Sequence, residues 1–460
     1  MKALQFRKSV PRYALLKLLG PRVRGLYTSH VSPLALRDVA EPVLPNARWV
    51  RIAPRLSGVC GSDLATICAK GSPYLAPITS MPFVMGHELV GDVVEVGSAV
   101  TRCREGDRVV LRPALGCRVR GIDPPCDACV ARRDALCRNV GRGDISAGIQ
   151  TGFCRDTGGA FGESLVAHES QVYSVPGEMD DRTAVLVEPL ACALHGALRV
   201  TSQPAETVLV IGCGAIGLLA IAALRAVGCR SRLVAAAKYD HQRVHARRLG
   251  ADVLVPGGGT VSARYAAWAD ALGAEVLDPV LGKPTVLGGA AVTIDCVASS
   301  QSIDDGLRFT QAGGSLVLLG MPGASTRVDW TPLWFHELTL HASYAYGAES
   351  RALVAATGTR GPSKQRRATK LLDEPSIAAS ARDAPSAAAM LPGGGMHDGQ
   401  PRDTFEVALD CLRRCGSDLS ELVSDPFELA DYRAALASAL HAGRSGTVKT
   451  VFDLRLGRRR

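Results

Sequence analysis

At 460 residues, 47% hydrophobic and 21% charged, the chain has the composition of a folded globular protein and is long enough for about three average domains or one large two-lobed α/β enzyme. Its net charge of +9 comes from 53 basic and 44 acidic residues that are interspersed, the two ends and one low-complexity stretch aside, so the charge reads as a mildly basic enzyme surface and not as a polyanion-binding one. The uncharged run Thr207 to Leu224, 18 residues and as long as any in the chain, is divided by Gly212, Gly214 and Gly217 into a β-rich half and a helical half, which argues against a membrane span.

Residues 1–37 hold Lys2, Arg7, Lys8, Arg12, Lys17, Arg22, Arg24 and Arg37 with no acid, and Leu15, Leu16, Leu18 and Leu19 make part of the segment amphipathic. It resembles a transit peptide only loosely and lacks the continuous apolar core of a secretory signal, so no targeting role is expected. With 14 cysteines in a long chain, a reducing, cytoplasmic setting is expected, and the question becomes which cysteines bind metal.

From Gly86 to Val110, VVEVG and EGDRVVL alternate β-branched runs with Gly and Asp turns, the pattern of a small antiparallel barrel. Three motifs lie in and around this stretch: GVCGSDL at 58–64, MGHELVG at 85–91 and VEPLACALHG at 187–196. Cys60, His87, Glu88 and Glu188 combine soft and harder ligands, which suits a catalytic zinc needing three protein ligands and one open position. Each alone is weak, since a lone Cys or His is usually a packing residue. Ser62 places a hydroxyl two residues from Cys60.

Between the motifs, Cys117, Cys126, Cys129 and Cys137 form a C-x2-C-x7-C pattern preceded by a fourth cysteine across a loop with two prolines. Four thiolates in a polar, turn-rich segment suit a closed structural zinc site, with two disulfides or free thiols as the alternative.

From Thr207 strands and helices alternate: strands 207–212, 232–236, 252–255, 291–296 and 315–320, with helices 215–227, 240–249, 261–272 and 301–311 between them. That order predicts a parallel doubly wound sheet. VLVIGCGAIGLL puts Gly212, Gly214 and Gly217 directly after a strand, with Ala215 and Ile216 opening the helix, so backbone amides and a helix N-terminus are poised for a pyrophosphate. The second strand ends in RLVAAAKYDHQR. Neither Ala236 nor Ala237 can repel a 2′-phosphate, while Lys238 and Arg243 could neutralise one, so NADP is favoured over NAD. The alternative is that both cations are solvated and Asp240 binds the ribose. Residues 351–403, rich in Ala, Gly, Pro, Ser and Arg, read as a flexible insertion; a helix in TFEVALDCLRR, a second around DYRAALASAL and a strand in TVKTVFDL follow.

These motifs together resemble the zinc-dependent medium-chain dehydrogenases, which include alcohol, sorbitol, threonine and glucose dehydrogenases. The resemblance runs from MKALQF to RSGTVKTVFD and departs at apparent insertions near 10–30 and 351–403. It implies an α/β fold: a chaperonin-10-like β-barrel catalytic domain at 1–199 carrying a structural zinc lobe near 117–137, a Rossmann domain at 200–347, and a return to the catalytic domain at 348–460 that completes the barrel. It implies Cys60, His87 and either Glu88 or Glu188 around the catalytic zinc, Ser62 as the hydroxyl that passes the substrate proton, and Asp63 as the acid that orients His87. Glu188 in its EP motif points to the sorbitol and glucose dehydrogenase branch, and Cys192 is read as packing. Two positions depart from the pattern. Ala65 stands where some members carry a relay histidine, so the proton must leave through ribose hydroxyls and water. Cys117 lies nine positions before Cys126 where three is usual; Asp123 holds the usual position and could substitute.

The expected activity is hydride transfer between a secondary alcohol or polyol and NAD(P), with catalytic and structural zinc. Substrate specificity is expected around Ser72–Phe83 and Trp330–Tyr346. A zinc-free reductase of the quinone type is disfavoured because it has no use for Cys60, His87 and Glu188 together. A nucleic-acid-binding protein is disfavoured because aromatics are only 5% and few bases beyond Arg118, Arg120, Arg132 and Arg133 flank the cysteines. The expected partners are a small alcohol or carbonyl compound and further copies of the chain, as a homodimer or homotetramer; no nucleic acid and no membrane partner is expected.

Overall fold

A computed structural model describes residues 1–199, 206–323, 327–349 and 401–456. Most of the 351–403 insertion lies outside the described residues. Its last residues are an exception to the expected loop: Arg402–Asp403 form a short strand that pairs antiparallel with Ala348–Glu349, because Asp403 is drawn into a buried ion pair with Arg112 at 2.5 Å and Thr404 bonds back to Gly347 and Glu349.

The first 200 residues are mainly β. Trp49–Gly58 is the central strand, paired antiparallel with Glu88–Val96, Leu165–His168 and Val451–Asp453, and the sheet continues through Arg108–Leu111 to Val172–Ser174. The alternation of apolar residues along these strands turns Val50, Ile52, Leu89, Val93, Val109 and Leu111 into one buried cluster. Three helices matter here: α1 (Val10–Leu19), α2 (Gly61–Ile67) and α3 (Val187–Ala197).

The second lobe is a six-stranded sheet of β1 (Thr207–Ile211), β2 (Arg232–Ala237), β3 (Val253–Pro256), β4 (Ala290–Asp295), β5 (Thr310–Leu318) and β6 (Thr339–Ala342), in the order β3-β2-β1-β4-β5-β6 and parallel throughout. Helices α4 (Ala215–Ala226) and α5 (Asp240–Arg248) follow β1 and β2. The strand order reverses between β1 and β4, and the crevice at the carboxyl end of that switch point is where such sheets take a ligand. Each expected strand and helix of this lobe appears within a few residues of its predicted position. Three elements were not expected: an antiparallel hairpin, Glu275–Leu277 with Thr285–Leu287, before β4, the helical turn Thr331–Phe335, and the edge strand β6 itself.

Candidate active site

The first motif folds into a turn that delivers three side chains at once. Cys60 is the N-cap of α2, and Asp63, in the first helical turn, accepts the Cys60 amide on Oδ2 at 2.9 Å. The other oxygen of Asp63 lies 3.7 Å from Nδ1 of His87. Asp63 thus caps the helix and faces Nδ1 of the imidazole. The ligand atoms of Cys60, His87 and Glu88 all lie within 4.8 Å of one another. Ser62 sits beside them, and its hydroxyl is buried with no hydrogen-bond partner among the described residues.

Glu188 does not join that group at the same distance. It stands in the first turn of α3, buried, with the Cys192 thiol donating to its Oε1 at 3.6 Å. The two carboxylates differ in their partners. Glu88 is in a buried ion pair with Lys449, whose ammonium also donates to the Val59 carbonyl at 3.2 Å. Glu188 has no ion pair among the described residues, and burial raises its pKa to about 7 against the pull of His87. Burial also works against a charged His87, but Asp63 and Cys60 outweigh it and raise the imidazole to about 10. Carboxylates and a thiol converge on a buried point with too little positive charge, which is the electrostatic complement of a divalent cation. Sequence reasoning missed Lys449; the one sign of it was a lone base inside the apolar run TVKTVFD.

The four-cysteine loop closes on itself. Sγ of Cys117 and Cys137 are 3.5 Å apart and those of Cys126 and Cys137 are 3.9 Å apart, against about 2.05 Å for a disulfide. All four sulfurs lie within 4.8 Å of one another, and Asp123 is not among them. Backbone amides aim at the sulfurs: Cys126 N–H donates to Cys117, Cys117 N–H to Cys129 and Asn139 N–H to Cys137, each at 3.3 Å. Burial disfavours a thiolate at Cys126, but the amides of Arg138 and Cys129 outweigh it and bring that thiol down to about 6; Cys137 is pushed up to about 11, burial first. This donor set, tetrahedral in number and lined with N–H groups, fits zinc.

At the switch point the three glycines do different things. Gly212 has φ +91°, and a Cβ there would meet Val297 at 2.2 Å; a Cβ at Gly217 would meet the Gly212 carbonyl at 1.8 Å. A Cβ at Gly214 would meet nothing within 4 Å. The first two let β1 turn tightly into α4, while Gly214 leaves open space above the helix start. The first hydrogen bond inside α4 runs from Leu218 N–H to Gly214, so the amides of Ala215, Ile216 and Gly217 have no helical acceptor, an arrangement that fits a dinucleotide pyrophosphate. Lys238 follows β2 directly and is exposed, its ammonium 5.4 Å from the centre of the Tyr239 ring. Arg243 is one turn into α5 and half-buried; neither cation has an ion pair among the described residues. Asp240 opens α5 and is exposed.

Comparison with known proteins agrees with this geometry. Residues 46–177 match the alcohol dehydrogenase GroES-like domain and residues 215–357 the zinc-binding dehydrogenase domain. An L-threonine 3-dehydrogenase of Saccharopolyspora erythraea is 30% identical over 318 residues, 69% of this chain and 82% of that one. An L-idonate 5-dehydrogenase of Vitis vinifera is 28% identical over 299 residues, 65% of this chain and 73% of its own. Among solved structures, a zinc-binding dehydrogenase of Sinorhizobium meliloti bound to NADP has a TM-score of 0.63 at 22% identity, covering 98% of each chain. Among the described residues no helix is long and apolar enough to cross a membrane. With the barrel, the switch-point crevice and these matches together, the chain belongs to the zinc-dependent medium-chain dehydrogenases and is an NAD(P)-linked oxidoreductase of the alcohol dehydrogenase type.

Proposed function

We propose that the chain interconverts a secondary alcohol or polyol and its carbonyl compound, with NADP preferred. The observation that carries this reading is the convergence of Cys60, His87 and Glu88, with buried Glu188 near enough to feel the charge of His87, beside the hydroxyl of Ser62, which has no partner among the described residues. When bound, zinc supplies the Lewis acid that lowers an alcohol's pKa, and the nicotinamide is the hydride acceptor. Cys60 and His87 would hold the metal, with Asp63 fixing the imidazole so that Nε2 faces it. Glu188 would be the third ligand, because Glu88 already has its counter-ion in Lys449 while Glu188 has none among the described residues. Ser62 would accept the substrate proton, and with Ala65 in the next turn of α2 the proton would leave by ribose hydroxyls and water. Cys117, Cys126, Cys129 and Cys137 would hold a second, structural zinc.

Lys238 and Arg243 support NADP, since they follow the end of β2 and neither is in an ion pair among the described residues. Relatives that act on L-idonate and L-threonine support an alcohol carbon bearing polar neighbours as substrate. The absence of disulfides among the described cysteines supports a cytoplasmic location. We take the assembly to be a homodimer or homotetramer. The test is turnover of a panel of alcohols, polyols and aldoses with each cofactor, together with zinc analysis. About two zinc per chain are expected, falling by one in Glu188→Gln, and Lys238→Ala should shift the kcat/KM ratio toward NAD. Turnover that survives exhaustive chelation, or a wild-type preference for NAD that the substitution does not move, would overturn the corresponding assignment.

A further inference from the structure

Helix α1 is apolar on two sides. At about 3.6 residues per turn, Tyr13 and Leu16 point inward: Leu16 is buried with Tyr27 and Ile67, and the Tyr13 hydroxyl donates to the Ala69 carbonyl at 3.3 Å. Gly20 is buried after the helix, and a Cβ there would lie 2.4 Å from the Tyr27 ring, so the segment is seated closely on the core. The outward side carries Pro11, Ala14, Leu15 and Leu18, all exposed, with Val10 and Leu19 at its margins. Leu18 and Val10 are each 68% exposed, and Val23 beyond the helix is 54% exposed.

The water-facing side of a surface helix is ordinarily polar. Here the polar residues are confined to the flanks, Arg12 along one edge and Lys17 along the other. Lys8, Arg22 and Arg24, also exposed, extend this rim, and none of these cations is in an ion pair among the described residues. Residues 1–37 contain no acid.

Charge decides what can cover such a face. A second copy placed across a two-fold axis would bring the same cations against themselves. An anionic lipid surface satisfies both parts: aliphatic side chains sink to the acyl boundary while Lys and Arg reach phosphate groups on long stems. A helix of 10 residues is about half the length needed to span, so it would lie in the interface. We propose that α1 and the turn after it form a peripheral docking surface for an anionic phospholipid membrane. The inference is independent of the reaction assigned above.

Flotation of the full chain with vesicles tests it. The wild type should float with vesicles of phosphatidylcholine mixed with phosphatidylserine, stay behind with phosphatidylcholine alone, and detach as salt is raised. Substituting Leu15→Gln, Leu18→Gln and Leu19→Gln together should weaken binding about ten-fold or more, and so should Lys17→Glu with Arg22→Glu. All five positions are exposed, so circular dichroism and turnover should not change. A wild type that does not float with either vesicle overturns the proposal. So do variants that float as well as the wild type, which would put binding elsewhere on the chain. A wild-type assembly that the leucine substitutions dissociate would identify a second copy as the occupant and overturn it equally.

Discussion

A Cβ added at Gly58 would stand 2.1 Å from Oε2 of Glu88 and 2.9 Å from Cε of Lys449. Both partners are buried, so the substitution would have to part an ion pair with no water to replace it; losing one partner of such a pair costs about 3–5 kcal/mol. Gly58→Ala is therefore expected to lower the melting temperature and the zinc content at Cys60, while the four-cysteine lobe keeps its metal. Unchanged melting and zinc content would show that the pair moves freely. This requirement was hidden in the sequence because Lys449 and Glu88 meet only through the pairing of Val451–Asp453 with Trp49–Gly58. A second residue-scale expectation concerns His168. Burial pushes its imidazole down to about 4; Glu169 opposes this and Arg118, Arg48 and Arg102 add to it. Its Nδ1 accepts the Ser170 amide at 3.1 Å, which selects the neutral ring with the proton on Nε2. The folded pKa lies below the unfolded value of about 6.5, so the unfolded chain binds more protons between these two values. Stability is complete above about pH 6.5 and is lost as pH falls toward about 4. Calorimetry across that range should show a shallower loss in His168→Gln; parallel curves for the two proteins would mean His168 is not held neutral.

The glycine fingerprint and the cysteine loop show two kinds of legibility at the level of elements. Apolar runs of strand length followed by helical periodicity placed every strand of the parallel sheet from β1 to β5, because buried parallel strands and the helices covering them leave strong local patterns. The roles of the individual glycines were not legible, since they depend on Val297 and on the Gly212 carbonyl. The structure separates them. Gly217→Ala should destabilise the folded chain, because a Cβ would lie 1.8 Å from a backbone oxygen; Gly214→Ala should leave melting unchanged in the absence of dinucleotide and raise its KM about ten-fold or more by filling the space over the helix start. Equal melting for the two variants, or an unchanged KM for Gly214→Ala, would remove the distinction. The helix expected in TFEVALDCLRR runs on from Thr404 to Ser420, passing through Gly416, where a Cβ would lie 2.6 Å from Thr183, so the glycine serves close helix packing. The hairpin 275–287 was missed because its strands are three residues each, too short for alternation to register.

At the scale of the whole molecule, the chain leaves its second lobe to complete the first, and no local pattern could announce this; only the family resemblance did. The outer edge of the parallel sheet raises the remaining question. Strand β6 ends the sheet with one row of backbone groups that no described strand pairs. Beside it the helical turn Thr331–Phe335 and its neighbours leave Trp330, Phe335 and Leu340 exposed, with Trp334 79% exposed. Exposed edges of this kind are normally blunted by charge or covered, and clustered aromatic side chains mark an interface. Unlike the face of α1, this one carries no cationic rim along 330–340, so two copies can meet there without repulsion. Pairing β6 with its symmetry mate would continue one sheet into the next and cover the aromatic residues at the same time. The wild type should therefore scatter light as a dimer or tetramer at micromolar concentration, and Trp334→Glu with Leu340→Lys should shift it to a smaller species with unchanged circular dichroism, since both side chains are exposed in the single chain. A monomeric wild type, or a variant that assembles as the wild type does, would show that this edge is not where copies meet.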